Sequence, residues 1–377
     1  MNGLKTTPHS LAWNTLHNEP LATQLAMFRQ ASAQINAKDV KSGFRAFATD
    51  LLARGLIDMS DYVAILGGKA LHYLTPNATG SFCDMRTGAD ATTLAGIYSR
   101  AKYGGVSEIR YLARCVIDYL AAELDDSSSS WSGLFCRAKE EGESVVMMTT
   151  GWRNVPSTAN VLYDIVVEEI NLTLAHKGLP TIINVKLPRI APPCENYASL
   201  SQAERDRVNL VQDHVIPAEN FYRWSGVHVI FGDDVLVTGA TADKVLYESL
   251  CNGARSFRAI YPVALDPRVA LTDASVEDRL NSVSVKQHLD ENVAQLLSAP
   301  GYQPILRALR LLFCEDNRDS LPAFLPNVPV LTWLNLYKSA LNNEFLAQPA
   351  CVPSLVMLRT YLMQNGLLCA KGKVLVK

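Results

Sequence analysis

The sequence has no run approaching 18 uninterrupted apolar residues, so it predicts no membrane-spanning helix. It has no excess of one charge: 35 Lys+Arg against 37 Asp+Glu gives a net charge of −2. A near-neutral chain argues against a protein whose main task is coating nucleic acid or an anionic membrane. No two of its eight cysteines are spaced C-x-x-C, and no histidine stands at zinc-ligand spacing from them. That pattern reads as reduced thiols in a cytoplasmic protein. The first 21 residues are polar and interrupted by Pro8, Asn14, His17 and Pro20, with no apolar core for a signal peptide. No Walker-type loop is present either; Gly67-Gly68-Lys69-Ala70 lacks both the spacing and the hydroxyl. What the chain does have is material for a core. With 48% hydrophobic and 19% charged residues over 377 positions, global disorder is excluded and two or three folded units are expected.

Three regions follow from the patterning, with no internal repeat. Residues 1–90 read as helical, with apolar residues at helical spacing in Leu21–Ala33 and Val40–Leu56 and Gly55 placed to close the second helix. Residues 91–268 change character. Val106–Leu124 predicts an amphipathic helix, Ser144–Thr150 a strand, Thr158–His176 a helix stopped by Gly178, and Thr181–Val185 a second strand. The unit recurs: strand Val227–Gly232, helix Ala242–Cys251 stopped at Asn252-Gly253, strand Phe257–Leu265. Two strand–helix–strand units predict an open, mostly parallel α/β sheet whose ligands bind at the carboxyl ends of the strands. Between them lies Pro188–Arg207, a proline-rich, polar stretch of the length that functional loops have. Residues 269–377 read as helical again. Ser275 is placed to cap one helix, Val285–Leu297 forms another, and five prolines divide the remainder, so the region reads as accessory.

The segment that carries chemistry is Val227–Thr241, VHVIFGDDVLVTGAT. An apolar strand ends in Asp233 and Asp234; Thr238-Gly239-Ala240-Thr241 then opens a helix. Small residues, two hydroxyls and backbone N–H groups at a helix N-terminus make a cradle suited to a phosphate monoester. Two adjacent carboxylates just upstream can accept hydrogen bonds from vicinal hydroxyls and lie near a divalent metal.

This stretch resembles the 5-phosphoribosyl-1-pyrophosphate (PRPP) binding motif of the type I phosphoribosyltransferases, in which an apolar strand, two acidic residues and a T-G-x-T loop precede a helix. The resemblance implies that family's open parallel sheet, flanked here by helical N- and C-terminal regions. It implies transfer of phosphoribosyl from PRPP to a nitrogenous base with release of pyrophosphate, a need for Mg2+, and a homodimer. Residue by residue, it gives the ribose hydroxyls, and the metal through water, to Asp233 and Asp234, and the 5-phosphate to Thr238, Gly239, Ala240 and Thr241. Gly151, Trp152 and Arg153 occupy the place of the pyrophosphate loop. Arg100 and Lys102 resemble a basic segment that reaches pyrophosphate in some members. Pro188–Arg207, with Arg189 and Tyr197, falls where the family has a mobile lid, and residues 1–90 where a hood over the acceptor can arise. The resemblance covers roughly residues 95–265, and the order of parts is similar to phosphoribosyltransferase-like proteins of tellurite-resistance-type gene clusters. One departure is informative. The position before T-G-x-T, an aspartate facing the base in purine-salvage members, is Val237, which argues against a hypoxanthine–guanine type enzyme.

Two other readings stay open at this point. A PRPP- or nucleotide-binding regulator could share the motif without catalysis. Gly232-Asp233-Asp234 also resembles the metal-binding hairpin of palm-type RNA polymerases, which requires a second strand after the turn. His214 and His228 read as structural.

Overall fold

The computed structural model describes residues 68–152, 154–188, 225–273 and 275–375, together with 58–65 and positions 49, 52, 53 and 55 before them. The elements, in chain order, begin with helix α1 (Met59–Ile65), strands β1 (Gly68–Pro76) and β2 (Phe82–Asp84), and helices α2 (Thr92–Lys102), α3 (Val106–Asp125) and α4 (Ser130–Glu141). Then come β3 (Ser144–Trp152), α5 (Thr158–His176), β4 (Ile182–Pro188), β5 (Val227–Gly232), β6 (Val235–Leu236), α6 (Ala240–Cys251) and β7 (Ser256–Leu265). Short helices α7 (Pro267–Thr272) and α8 (Val276–Asn281) lead into α9 (Glu291–Ser298), α10 (Leu306–Phe313), α11 (Leu321–Phe324), α12 (Val330–Leu341) and α13 (Val352–Gln364). No helix among the described residues is long and apolar enough to cross a membrane.

The strands form one mixed, mostly parallel sheet in the order β2-β1-β7-β5-β3-β4, with β6 paired to β7. Among the described strands only β2 runs antiparallel, as a hairpin on β1. The central strands β3, β5 and β7 are near-continuous apolar runs because helices cover both faces. Val145, Met147, Ile230 and Ile260 point to one face, where α2, α3 and α5 pack. Val146, Met148, Val229 and Phe231 point to the other, under α1 and α6. A third cluster, around Trp333, Phe313 and Phe345, fills the C-terminal helices and takes in Tyr103 and Val155 from the sheet domain.

Local chemistry explains the helix limits. Ser157 and Asn160 form a reciprocal capping box at the start of α5, and Gly178 leaves the helix at φ +63°. Ser129 caps α4, and left-handed Gly142 ends it.

Several expectations need correction. The region 1–90 is not helical throughout: residues 68–76 and 82–84 are strands of the sheet itself. Gly68–Pro76 carries helix formers, but its register with β7, from Gly68 opposite Ala259 to Leu74 opposite Leu265, overrides local preference. Leu21–Ala33 and most of Val40–Leu56 lie outside the described residues; Gly55 does adopt φ +67° and donates to Leu52 O. Helices α2 and α4 are additions to the elements that the patterning predicts. The helix expected from Val285 begins at Glu291, because Asp290 caps it through Val293 N while Gln287 takes φ +62°. Ser275 precedes α8 without a side-chain capping bond.

Candidate functional site

The sheet's connections locate a crevice before any side chain is considered. From β3 the chain crosses through α5 to β4, outward on one side; from β5 it crosses through α6 to β7, outward on the other. Adjacent strands β3 and β5 are therefore the topological switch point, and the gap between their carboxyl ends is where open α/β sheets bind ligands. Their register sets Thr149 opposite Gly232, so Thr150-Gly151 and Asp233-Asp234 emerge side by side.

Gly232 is required by its neighbour. A Cβ there would lie 2.7 Å from three ring carbons of buried Tyr163, whose hydroxyl donates to Ile260 O and, at 3.2 Å, to Asp233 O. The ring from α5 thus fixes the strand end from below. Asp234 is 4% exposed. Its Oδ2 accepts from Lys102 Nζ at 2.6 Å and from Tyr98 OH at 3.3 Å. Asp233 Oδ1 accepts from Asp234 N at 2.9 Å. Burial, followed by the neighbouring Asp234 charge, pushes the Asp233 carboxyl well above the usual range. Burial, the largest single influence, would raise Asp234 too, but the Lys102 ammonium together with the Asp233 hydrogen bond and Arg307 outweighs it and holds Asp234 below its ordinary value. The pair therefore places its negative charge preferentially on Asp234, while Asp233 holds its proton more tightly than an ordinary carboxyl.

After Asp234 the chain forms β6, parallel to β7, with Val235 opposite Val263. It does not return antiparallel beside β5, so the hairpin needed for a polymerase-type Gly-Asp-Asp turn is not formed. The expected phosphate turn follows. Thr238 is buried and its carbonyl accepts from Tyr62 OH at 3.1 Å. Gly239 has φ +73°, a backbone state that favours glycine. Ala240 opens α6, with half-buried Thr241 in its first turn. Asp243, buried in the same turn, adds a carboxylate near this helix start. Val237 is half-buried and packs against the first core cluster.

On the β3 side, Gly151 has φ +79° and turns the chain toward α5. Half-buried Trp152 lies beneath the Lys186 ammonium, which sits 4.8 Å from the ring centroid and pairs with Asp164 at 2.7 Å. Arg153, Arg189 and Tyr197 lie outside the described residues, as does His214. Arg100 pairs with Glu108, at 2.7 Å. Lys102 reaches the crevice, but as the partner of Asp234.

Sequence reasoning misses four residues of this arrangement: Tyr62, Tyr98, Tyr163 and Arg307. Tyr98 stands four residues before Lys102, so helical spacing alone puts both on one face of α2. The other three come from elements far away in sequence, and no local pattern marks them. Arg307, on α10, is near enough to Asp234 and Tyr98 to influence both.

The donor set does not fit direct metal coordination. A carboxylate oxygen that already accepts from an ammonium and a phenol has little capacity for a divalent cation, and the second positive charge would repel it. Among the described residues no three His, Cys, Asp or Glu side chains converge as metal ligands.

At the opposite, amino-terminal end of the parallel strands, buried His228 at the start of β5 bonds through Nδ1 to Ser256 Oγ at 2.8 Å. Its Nε2 lies 3.0 Å from Glu143 Oε2, and Glu143 is held by Arg255. The structural reading of His228 agrees with this packing.

No protein-family model, no curated protein and no solved structure matches this chain.

Proposed function

We propose that this protein is a PRPP-dependent phosphoribosyltransferase acting on a nitrogenous acceptor. The observation that carries the reading is the placement of the motif. Asp233-Asp234 and the 238–241 turn stand at the carboxyl end of β5, at the switch point, beside the left-handed Gly151 turn of β3. A ligand with a phosphate at one end, a diol in the middle and a pyrophosphate beyond would span from the start of α6, over the aspartates, to the end of β3.

In this reading the start of α6 holds the 5-phosphate and the charged Asp234 accepts from a ribose hydroxyl. Asp233, beside it, bonds to the neighbouring hydroxyl. The acceptor nitrogen forms a bond to the anomeric carbon as the bond to the pyrophosphate oxygen breaks, and the leaving group takes the electron pair. The acceptor proton passes to solvent or to the leaving group. Positive charge develops on the sugar ring, and Asp234 is placed to favour it electrostatically. Any Mg2+ arrives with the pyrophosphate as part of the substrate. Pyrophosphate release from PRPP with a panel of nitrogenous bases tests the reading, and a base-dependent burst of product is the expected result. Asp234→Asn and Thr241→Ala should each lower turnover at least about tenfold, roughly 1.4 kcal/mol of barrier. Wild-type rates in both variants would remove the assignment.

One observation favours a second reading, a PRPP- or nucleotide-binding regulator. Asp234 already has two donors at 2.6 and 3.3 Å, as a settled structural carboxylate would. Saturable PRPP binding with no product across the whole panel would select it.

A further inference from the structure

The ammonium of Lys102 occupies Asp234 Oδ2, an oxygen that a metal bound directly by the aspartate pair would draw on. It contacts Asp234 Oδ2 at 2.6 Å with both side chains largely shielded, Lys102 at 14% and Asp234 at 6% exposure. The same oxygen accepts from Tyr98 OH, and the ammonium lies 5.6 Å from the Tyr98 ring centroid. Mg2+ demands near-octahedral oxygen ligands at about 2.0–2.1 Å. At Asp234 Oδ2 it could be admitted only by expelling the ammonium.

Lys102 is also firmly held. It is the last residue of α2, and that end is docked on the C-terminal helical region. Buried Ser99 donates to Asn281 O at 2.6 Å and accepts from Ser284 N at 3.0 Å and Val285 N at 3.2 Å. Tyr103, next in sequence, belongs to the C-terminal core cluster and accepts from Gln287 Nε2 at 2.6 Å. Tyr302 OH donates to Tyr103 O. Gly104, at φ +93°, leaves room for the Tyr302 ring, which a Cβ would meet at 2.9 Å. Arg307, from the same region, adds a second positive charge facing the cluster, opposed by Glu277 at 3.8 Å.

We propose that Lys102 is the resident cation of the Asp233–Asp234 pair, a positioning residue held by the C-terminal helical region, and that these carboxylates do not coordinate a divalent metal. The lysine charge replaces what a metal would supply to the pair, and it fixes Asp234 in the orientation that meets the ligand. This last step rests on the ligand-binding reading above; the metal claim does not.

The test is a Mn2+ titration of the full chain without ligand, followed by the electron paramagnetic resonance of free Mn2+ and by thermal unfolding. Wild type should show no Mn2+ site that depends on Asp234. Lys102→Ala should gain one, with a rise in melting temperature on adding Mn2+, and Lys102→Ala/Asp234→Asn should lose it. Lys102→Arg should behave as wild type. A structural lysine with no electrostatic role would give no such gain. Wild-type Mn2+ binding abolished by Asp234→Asn overturns the proposal, as does a folded Lys102→Ala that gains no site. If Lys102→Ala does not fold, Lys102→Gln replaces it, and the comparison of wild type with Asp234→Asn decides independently. Ser99→Val, which cuts the docking of α2, should open the Mn2+ site partially; no opening overturns the role given to the C-terminal region. A PRPP titration with Mg2+ separates the two readings. No PRPP binding by wild type would remove the functional assignment while leaving the Mn2+ result for Lys102 intact.

Discussion

Strand β5 begins and ends in buried charge, and its two ends are built differently. At the amino edge, His228 passes through Glu143 to Arg255, which is 52% exposed and pairs in turn with Glu141 at 2.8 Å. That chain leads outward, from His228 at 5% and Glu143 at 10% to the solvent-exposed Arg255 and Glu141. At the carboxyl edge, Asp234 meets Lys102 and Tyr98, with Arg307 and Glu277 behind them, and the chain leads inward to the junction with the C-terminal helices. A charge with a route to solvent can be relaxed by water when a partner is lost. One enclosed by protein depends on its partner.

The comparison would break most visibly at Lys102. Lys102→Met leaves Asp234 buried and unpaired, and should cost about 3–5 kcal/mol in urea unfolding. Arg255→Ala, at the exposed end of the other chain, should cost far less; equal losses would show that the two edges are not different in kind. A smaller effect is expected from Gly232→Ala. The new Cβ meets the Tyr163 ring at 2.7 Å, and overpacking of this sort costs about 1–3 kcal/mol. Tyr163→Leu in the same chain should recover part of that loss.

The two edges should also respond to pH in opposite senses. Burial lowers the His228 pKa more than Glu143 raises it. The unfolded chain therefore binds the proton first, and stability present above about pH 6.5 is lost as pH falls through the lower folded value. His72, also lowered, chiefly by burial and then by Arg86, adds to this slope. His228→Gln should flatten the decline of stability between neutral pH and about pH 5, measured by melting temperature. Asp233 behaves oppositely. Its folded pKa is raised, so the stability it contributes is complete below about pH 3.9 and is lost as pH rises through the folded value. Asp233→Asn should therefore match wild type in acid and melt slightly higher at about pH 8, while weakening any ligand that uses the carboxyl. A variant less stable than wild type at both pH values would show that Asp233 is structurally satisfied as a charge.

Much of the sheet domain is legible in the sequence because its signals are local. Strand Val227–Gly232 and helix Thr158–His176 match the structure at both ends, one an apolar run interrupted only by His228, the other bounded by Ser157 and Gly178. β1 is not legible, since Lys69, Ala70, Leu71 and Leu74 suit a helix as well as a strand and the decision is made by β7, almost 200 residues later. The same limit applies to the site. Asp233-Asp234 and Thr238–Thr241 announce themselves as a contiguous motif, and the fold brings Gly151 beside them. The partner of Asp234 does not announce itself. Lys102 and Arg100 look alike in sequence, and only the path of α2 sends one to Asp234 and the other to Glu108.

The docking of Ser99 on residues 281–285 bears on how the molecule can be divided. A fragment ending at residue 268 would contain every motif residue and all seven described strands, yet the lysine's helix would have lost its mooring. Such a minimal core would invite use as a convenient surrogate for the full-length chain, and it would mislead: its acidic pair would sit beside an untethered ammonium, with ion preferences the intact protein does not have.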